Sequence, residues 1–312
     1  MKVRTTIVCM ALLVSLLAPS AAFSWGSAVH AYIDGKLETK GKLLNGNQVY
    51  GAMAPDVFNF RFDQPAYMGF LYAQTHANFL NVWYEAESRP AKALAFGFVS
   101  HNDVWGADFT AHHSGITFGQ EKGYIIAKAE VLKGILESIP EYQALNIPDA
   151  VGMEIAHNLV ENGVDILMKH VDPRIGQKMI AAALPPHPNM PLLLVKAYAG
   201  DLADYAGISQ LEAAKFIASS DRQFRNITIL YGQALTLDDA AAVQALAEQL
   251  ADFAQAFLAA YGITFPPGTD LTPLLGFGIS QAMVLCAGDF AQEVAATTAF
   301  VDHQLDLHGI AY

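Results

Sequence analysis

From residue 91 onward the apolar positions recur with helical period. Tyr124, Ile125, Ala129, Leu132, Ile135 and Leu136 fall on one helix face. Val151, Ile155, Leu159, Val164, Ile166 and Leu167 set a second stripe within Asp149 to His170. Alanine-rich stretches from Leu211 to Ala218, Leu237 to Tyr261 and Ser280 to Phe300 continue the theme, and Pro185, Pro186, Pro188, Pro266, Pro267 and Gly268 punctuate it. Upstream, a Gly- and Asn-rich stretch from Gly41 to Gly51 and an aromatic-rich region from Phe58 to Trp83 read as loops and short helices. No run of alternating apolar and polar residues is long enough to propose a strand. The pattern predicts an all-α, single-domain helical bundle over residues 25–312, with no internal repeat and no low-complexity linker.

Two apolar stretches need separate treatment. Lys2 and Arg4 precede an apolar run from Ile7 to Leu17, and Ala21, Ala22, Phe23 and Ser24 follow with small residues where a signal peptidase reads. The run is shorter than the roughly 20 apolar residues of a membrane span, so residues 1–24 are expected to be a secretory signal peptide cleaved after Ser24. Trp25 would then be the first residue of an exported protein, periplasmic or secreted. The second stretch, Thr272 to Phe300, contains Asp289 and Glu293. A carboxylate at the centre of a bilayer costs roughly 2.5 to 3.5 kcal/mol, so a core helix is expected there.

Removing 24 of the 312 residues leaves 288, enough for one large domain with a substantial core, and an apolar fraction of 53 % excludes a disordered chain. The formal charge moves from −12 to −14, because the first 24 residues hold Lys2 and Arg4 and no acid. Such a surface repels polyphosphates unless metal ions reverse the local sign. Cys9 lies in the leader, so Cys286 stands alone and no internal disulfide forms. Bound metal ions are a candidate for stiffening the fold instead.

The chemistry is concentrated in histidine and carboxylate pairs. Five of the ten histidines lie before residue 115. His157 and Glu161 stand four apart in a helical segment, so both side chains lie on one face and can close on one ion, the alternative being a solvated Glu161 beside an ordinary histidine. In the run from Ser100 to His113, His112 follows Asp108 by four, but His101 precedes Asp108 by seven. Two turns span roughly 10.5 Å, so both reach one ion only if the helix breaks near Gly106. Asp103 and His113 remain alternatives to Asp108 and His112. Trp25, His30, Asp56 and His76 form a third group. A free α-amine beside its own carbonyl is a chelator whose proton, with a pKa of about 7.7 to 8.0, a metal displaces readily.

Taken in order, Trp25-Gly-Ser-Ala-Val-His30, Ala54-Pro55-Asp56, Thr75-His76, Ser100-His101 with Asp108 and His112, and His157-Asn-Leu-Val-Glu161 resemble the zinc-dependent phospholipases C. That superfamily also contains the single-strand-specific zinc nucleases and the catalytic domain of glycosylphosphatidylinositol-specific phospholipase D. The resemblance covers Trp25 to Glu161 and implies three zinc ions. Asp56, His76, His101 and Asp108 would hold one. Asp108 would bridge to a second, bound by the Trp25 amine and carbonyl and by His30. His112, His157 and Glu161 would hold the third. The implied reaction is attack of a metal-bound hydroxide on phosphorus, with Asp56 as the candidate for orienting or deprotonating that water. The chain departs from the family where the steps from His101 to Asp108 and on to His112 are seven and four. The phospholipases C and nucleases have about four and six, and the step of four resembles the phospholipase D branch.

The metals do not choose the esterified group. The short step from Trp25 to His30 resembles the nucleases, and a pair ending in Glu161 resembles the phospholipases. Composition leans toward lipid, because only 16 of the 18 Lys and Arg remain after the leader and a nuclease gains affinity from such residues. Phe58, Phe60, Phe62, Tyr67, Phe70 and Tyr72 are expected to be core, with an acyl-chain surface or base stacking as the alternatives. The expected partner is therefore a phospholipid or membrane surface, met transiently as substrate. Single-stranded nucleic acid is the second candidate, and a non-catalytic zinc-binding exported protein is the non-enzyme alternative.

Overall fold

The computed structural model describes residues 25–37, 46–117, 121–184, 189–260, 262–263 and 268–312. The expected signal peptide, the punctuating prolines at 185, 186, 188, 266 and 267, His187 and part of the Gly41 to Gly51 stretch lie outside them.

The fold is all-α, with no strand among the described residues. In chain order the helices are α1 (Ser27–Lys36), α2 (Gly46–Met53), a 3-10 turn (Ala54–Phe58), α3 (Pro65–Ala77), α4 (Leu80–Glu85), α5 (Arg89–His101) and α6 (Ala107–His112). Then follow α7 (Tyr124–Glu137), α8 (Pro140–Gln143), α9 (Asp149–Val171), α10 (Ile175–Ala183), α11 (Asn189–Ala206), α12 (Gln210–Ala234), α13 (Asp239–Ala260), α14 (Thr272–Cys286) and α15 (Phe290–Leu307).

Local chemistry sets these boundaries. Ser209 and Glu212 form a reciprocal capping box that starts α12, and Pro65 and Pro90 sit in the first turns of α3 and α5, where a missing N–H costs nothing. The apolar stripes of α7 and α9 are buried as their period requires, at Tyr124, Ile125, Ala129, Leu132 and Leu136 and at Val151, Leu159, Val164, Ile166 and Leu167. The aromatic region is more helical than its composition suggests. Its longest element, α3, has 13 residues.

The Thr272 to Phe300 stretch is not one helix. It breaks at Ala287–Asp289 and the two halves bend by 74°. Buried Leu275, Ile279, Ala282 and Cys286 give α14 a face that packs on α9. Glu293 is fully buried yet satisfied, accepting the Thr117 backbone N–H at 2.7 Å. No single described helix is long and apolar enough to cross a membrane.

The core is one contiguous cluster reaching from Trp25 to Ile310. Helices α2 and α5 approach backbone to backbone within it, since a Cβ on Gly51 would lie 2.1 Å from the Leu94 carbonyl oxygen. That contact brings the Ala54–Phe58 turn, with Asp56, beside the C-terminal end of α5, with His101.

Candidate metal centre

Five helices and one 3-10 turn contribute donors. His30 comes from α1, Asp56 from the turn, His76 from the last turn of α3, His101 from the end of α5, Asp108 and His112 from α6, and His157 and Glu161 from α9. The spacing problem between His101 and Asp108 is resolved by a helix break. Helix α5 stops at His101, and the Asn102 side-chain oxygen accepts the N–H groups of Val104, Trp105 and Gly106 at 2.9, 2.9 and 3.2 Å. The chain folds back so tightly that a Cβ on Gly106 would lie 2.6 Å from the backbone N and O of Asn102. α6 then begins at Ala107 and turns Asp108 toward His101.

Asp56 Oδ1, His76 Nε2 and His101 Nε2 form one donor group, and Asp108 Oδ2 approaches both histidines. His76 Nε2 lies 3.5 Å from Asp56, 3.4 Å from Asp108 and 3.2 Å from His101 Nε2. His101 Nε2 lies 2.9 Å from Asp108 and 3.8 Å from Asp56. Ligands about 2.0 to 2.1 Å from a tetrahedral ion stand roughly 3.3 Å apart, which these separations bracket. The opposite oxygen of Asp108 lies 3.0 Å from His30 Nε2, so one carboxylate faces both groups.

The tautomers suit ligation. The His101 Nδ1–H donates to the Ala52 carbonyl at 2.8 Å, and the His76 Nδ1–H to the Tyr72 carbonyl at 3.0 Å. A carbonyl only accepts, so each ring, when neutral, carries its proton on Nδ1 and its lone pair on Nε2, facing the cluster. His30 Nε2 and both Asp108 oxygens are buried with no partner in hydrogen-bonding geometry. Their close approach without mutual hydrogen bonds means that they converge on a shared point, and buried polar atoms require a partner there. The buried His30, His101 and Asp108, and Asp56, His76 and His101, are thus placed to hold a metal ion.

Electrostatics of the ion-free cluster agree. Burial opposes charge on His101, but the Asp108 and Asp56 carboxylates outweigh it and raise its pKa to about 9. Burial also opposes ionisation of Asp108, and His101 and His30 overcome it to hold this carboxyl well below the usual range. Asp56 is likewise lowered, with His101 and His76 outweighing burial. His30 is lowered by burial and by neighbouring His101, against the pull of Asp108.

The third expected group is adjacent but looser. His157 Nε2 lies 2.8 Å from Glu161 Oε1, and the His112 and His157 rings are 5.5 Å apart. His112 Nε2 is buried without a hydrogen bond, while its Nδ1 lies 2.6 Å from Asp103 Oδ1. These three residues do not form a donor group within 4.8 Å of one another, whereas His112 does so with the two alternatives, Asp103 and His113. Asp103 pairs with His112 and with exposed His113 at 3.1 Å, so Asp108, not Asp103, is the carboxylate between His30, His76 and His101. His170 pairs with Asp239, and His308 stacks on Trp105.

Trp25 is fully buried, its ring stacked on Tyr124 at 5.2 Å and its Nε1–H donating to Thr110 Oγ1 at 2.9 Å. One residue that holds this end in place was not singled out in the sequence. The carboxylate of Asp165 accepts the Ala28 and Val29 N–H groups at 2.9 and 3.0 Å and the Tyr231 hydroxyl at 3.0 Å, capping α1. Burial raises its pKa to about 7 against these three donors. Its signal in the sequence was slight, a second acid one turn beyond Glu161 on an apolar helix.

Asp56 and Glu161 also line a cavity of about 200 Å³ whose other walls are mostly apolar, including Phe60, Phe62, Tyr72, Phe224, Phe253 and Phe257.

No family model, no curated protein and no solved structure matches the chain. The site is therefore argued from its own geometry.

Proposed function

We propose that the chain is an exported zinc-dependent phosphodiesterase acting on phospholipids in the manner of a phospholipase C. The observation that carries this reading is the Asp108 carboxylate, with one oxygen on His30 and the other on His76 and His101. Such a bridge is what a multi-ion site needs. An all nitrogen and oxygen donor set with an adjoining cavity suits catalytic zinc. When bound, zinc ions supply an activated water at neutral pH and positive charge for the phosphoryl oxygens.

The chain's own groups do the rest. Asp56 reaches both the donor cluster and the cavity, His101 and His76 keep it ionised, and the Asn59 amide N–H donates to it at 2.8 Å. It is the group to orient a water or take its proton. The apolar walls exclude bulk solvent from the reacting ester. Lipid is favoured over a nucleic-acid strand because no Lys or Arg lines the cavity, and strand affinity depends on such cations.

The test is to strip the protein with chelator, restore zinc, and offer phosphatidylcholine and single-stranded DNA in parallel. Hydrolysis of the lipid that requires zinc, with Asp56→Asn slower by roughly 10²-fold or more, supports the proposal. Faster cleavage of DNA favours the nuclease reading. Full zinc occupancy with no hydrolysis of either leaves a metal-binding protein without this activity.

A further inference from the structure

Beside the buried donors, a second set reaches solvent. Asp103, His112 and His113 offer one carboxylate oxygen and two ring nitrogens that all lie within 4.8 Å of one another. His112 Nδ1 lies 2.6 Å from Asp103 Oδ1, and His113 Nε2 lies 3.1 Å from Asp103 Oδ2. His112 ends α6 and His113 caps it. Successive helical side chains diverge by about 100°, so the two rings reach one carboxylate through different nitrogens. Asp103 is held from the other side, its backbone N–H donating to the His76 carbonyl at 3.3 Å. The His113 side chain is 53 % exposed and that of Asp103 27 %, so water can complete a coordination shell. Two imidazole nitrogens, one carboxylate and water are a donor set that zinc takes.

His112 has a second, inner nitrogen. Its Nε2 is buried without a hydrogen bond, and its ring stands 5.5 Å from that of His157. A neutral imidazole carries one proton and one ring lone pair. While the Asp103 carboxylate accepts the Nδ1–H, the lone pair is on the buried Nε2. We infer that Asp103, His112 Nδ1 and His113 Nε2 form an outer zinc site that competes with the inner ion for His112, so that excess zinc unloads the inner group. The outer site stands on its own donors. The competition rests on the zinc-enzyme reading, in which His112 is a ligand of the inner ion. As the outer ion binds, the Nδ1 proton leaves, the inner bond to Nε2 breaks and Nε2 takes up a proton, so the ring stays neutral. The inner group then meets an N–H where it needs a lone pair.

The experiment follows the histidine ring nitrogens by long-range proton–nitrogen NMR as zinc chloride is raised from stoichiometric to a large excess, with hydrolysis of bis(4-nitrophenyl) phosphate assayed on the same samples. Magnesium chloride, a hard cation that suits oxygen ligands and not imidazole, is the control. Excess zinc is expected to bring His113 Nε2 and His112 Nδ1 to the metal-bound range, to turn His112 Nε2 into a protonated nitrogen, and to lower hydrolysis. Magnesium is expected to do none of these. His113→Ala, at an exposed position, is expected to leave hydrolysis at stoichiometric zinc unchanged and to raise the zinc concentration needed for inhibition and for the change at His112 by roughly 10-fold or more. A His113 ring that ignores excess zinc would overturn the inference, leaving Asp103 as a hydrogen-bond partner of two histidines. Zinc on both nitrogens of His112 would overturn it too, because the ring would then be shared and not contested. The two readings fail separately. The NMR changes without hydrolysis of the diester at any zinc concentration remove the enzymatic reading alone. Hydrolysis undiminished by excess zinc, with no change at His113, removes the outer site alone.

Discussion

Replacing Asp108 by Asn tests the cluster before any metal is added. The carboxylate lies 2.9 Å from His101, 3.4 Å from His76 and 3.0 Å from His30, all buried. With Asp56 it lifts His101 from 6.5 to about 9, and at 1.36 kcal/mol per unit that shift is about 3 kcal/mol of folding stability. The sign follows from the two partners. His101, raised on folding, contributes fully below pH 6.5, and its contribution is lost as pH rises through 9. Asp108, lowered on folding, contributes above pH 3.8, and its contribution is lost as pH falls toward its depressed value. The pair therefore stabilises the ion-free protein most between about pH 4 and 7. Urea unfolding of chelator-treated protein is expected to show Asp108→Asn less stable by roughly 1 to 3 kcal/mol at pH 6, Asp56 retaining its share of the shift, with the gap closing by pH 10. A gap below 0.5 kcal/mol at pH 6, or one equally large at pH 10, would refute the reasoning.

Three further outcomes follow. Gly106→Ala forces a methyl into the Asn102 backbone and is expected to cost about 1 to 3 kcal/mol and to lower zinc affinity, because it separates Asp108 from His101; denaturation and zinc titration check both effects. Asp165→Ala leaves three donors without their acceptor at the start of α1, a loss of about 3 kcal/mol or more at roughly 1 to 3 per unpaired group, with weaker metal binding at His30 as the second readout. Because His101 is protonated in the ion-free protein up to about pH 9, zinc binding at pH 7.5 is expected to release a proton, seen as a heat that differs between buffers of unlike ionisation enthalpy. Equal heats in both buffers would count against His101 as a ligand.

How much of this was legible in the sequence varied with the range of the interaction. Helical period located α7 and α9 because burial of one face is a local signal. The seven-residue step from His101 to Asp108 already required a break near Gly106, since a continuous helix cannot bring those side chains together, and the Asn102 turn supplies it. The break at Ala287–Asp289 was missed because alanine-rich sequence on both sides keeps the same period while the axis bends. Asp165 escaped notice because an acid on an apolar helix gives no sign of its partners, and Ala28 and Val29 lie more than 130 residues away. Phe60 and Phe62 were expected in the core; both are only partly buried and line the cavity against α13, a placement set by tertiary packing. Whether His112, His157 and Glu161 form a third ion site depends on distances that spacing alone does not supply.

The most direct test is elemental analysis of protein purified without chelator, beside the same chain carrying one extra residue before Trp25. The account predicts three zinc ions per chain in the form that begins at Trp25, with at least one lost on extension. No zinc in either form would contradict it.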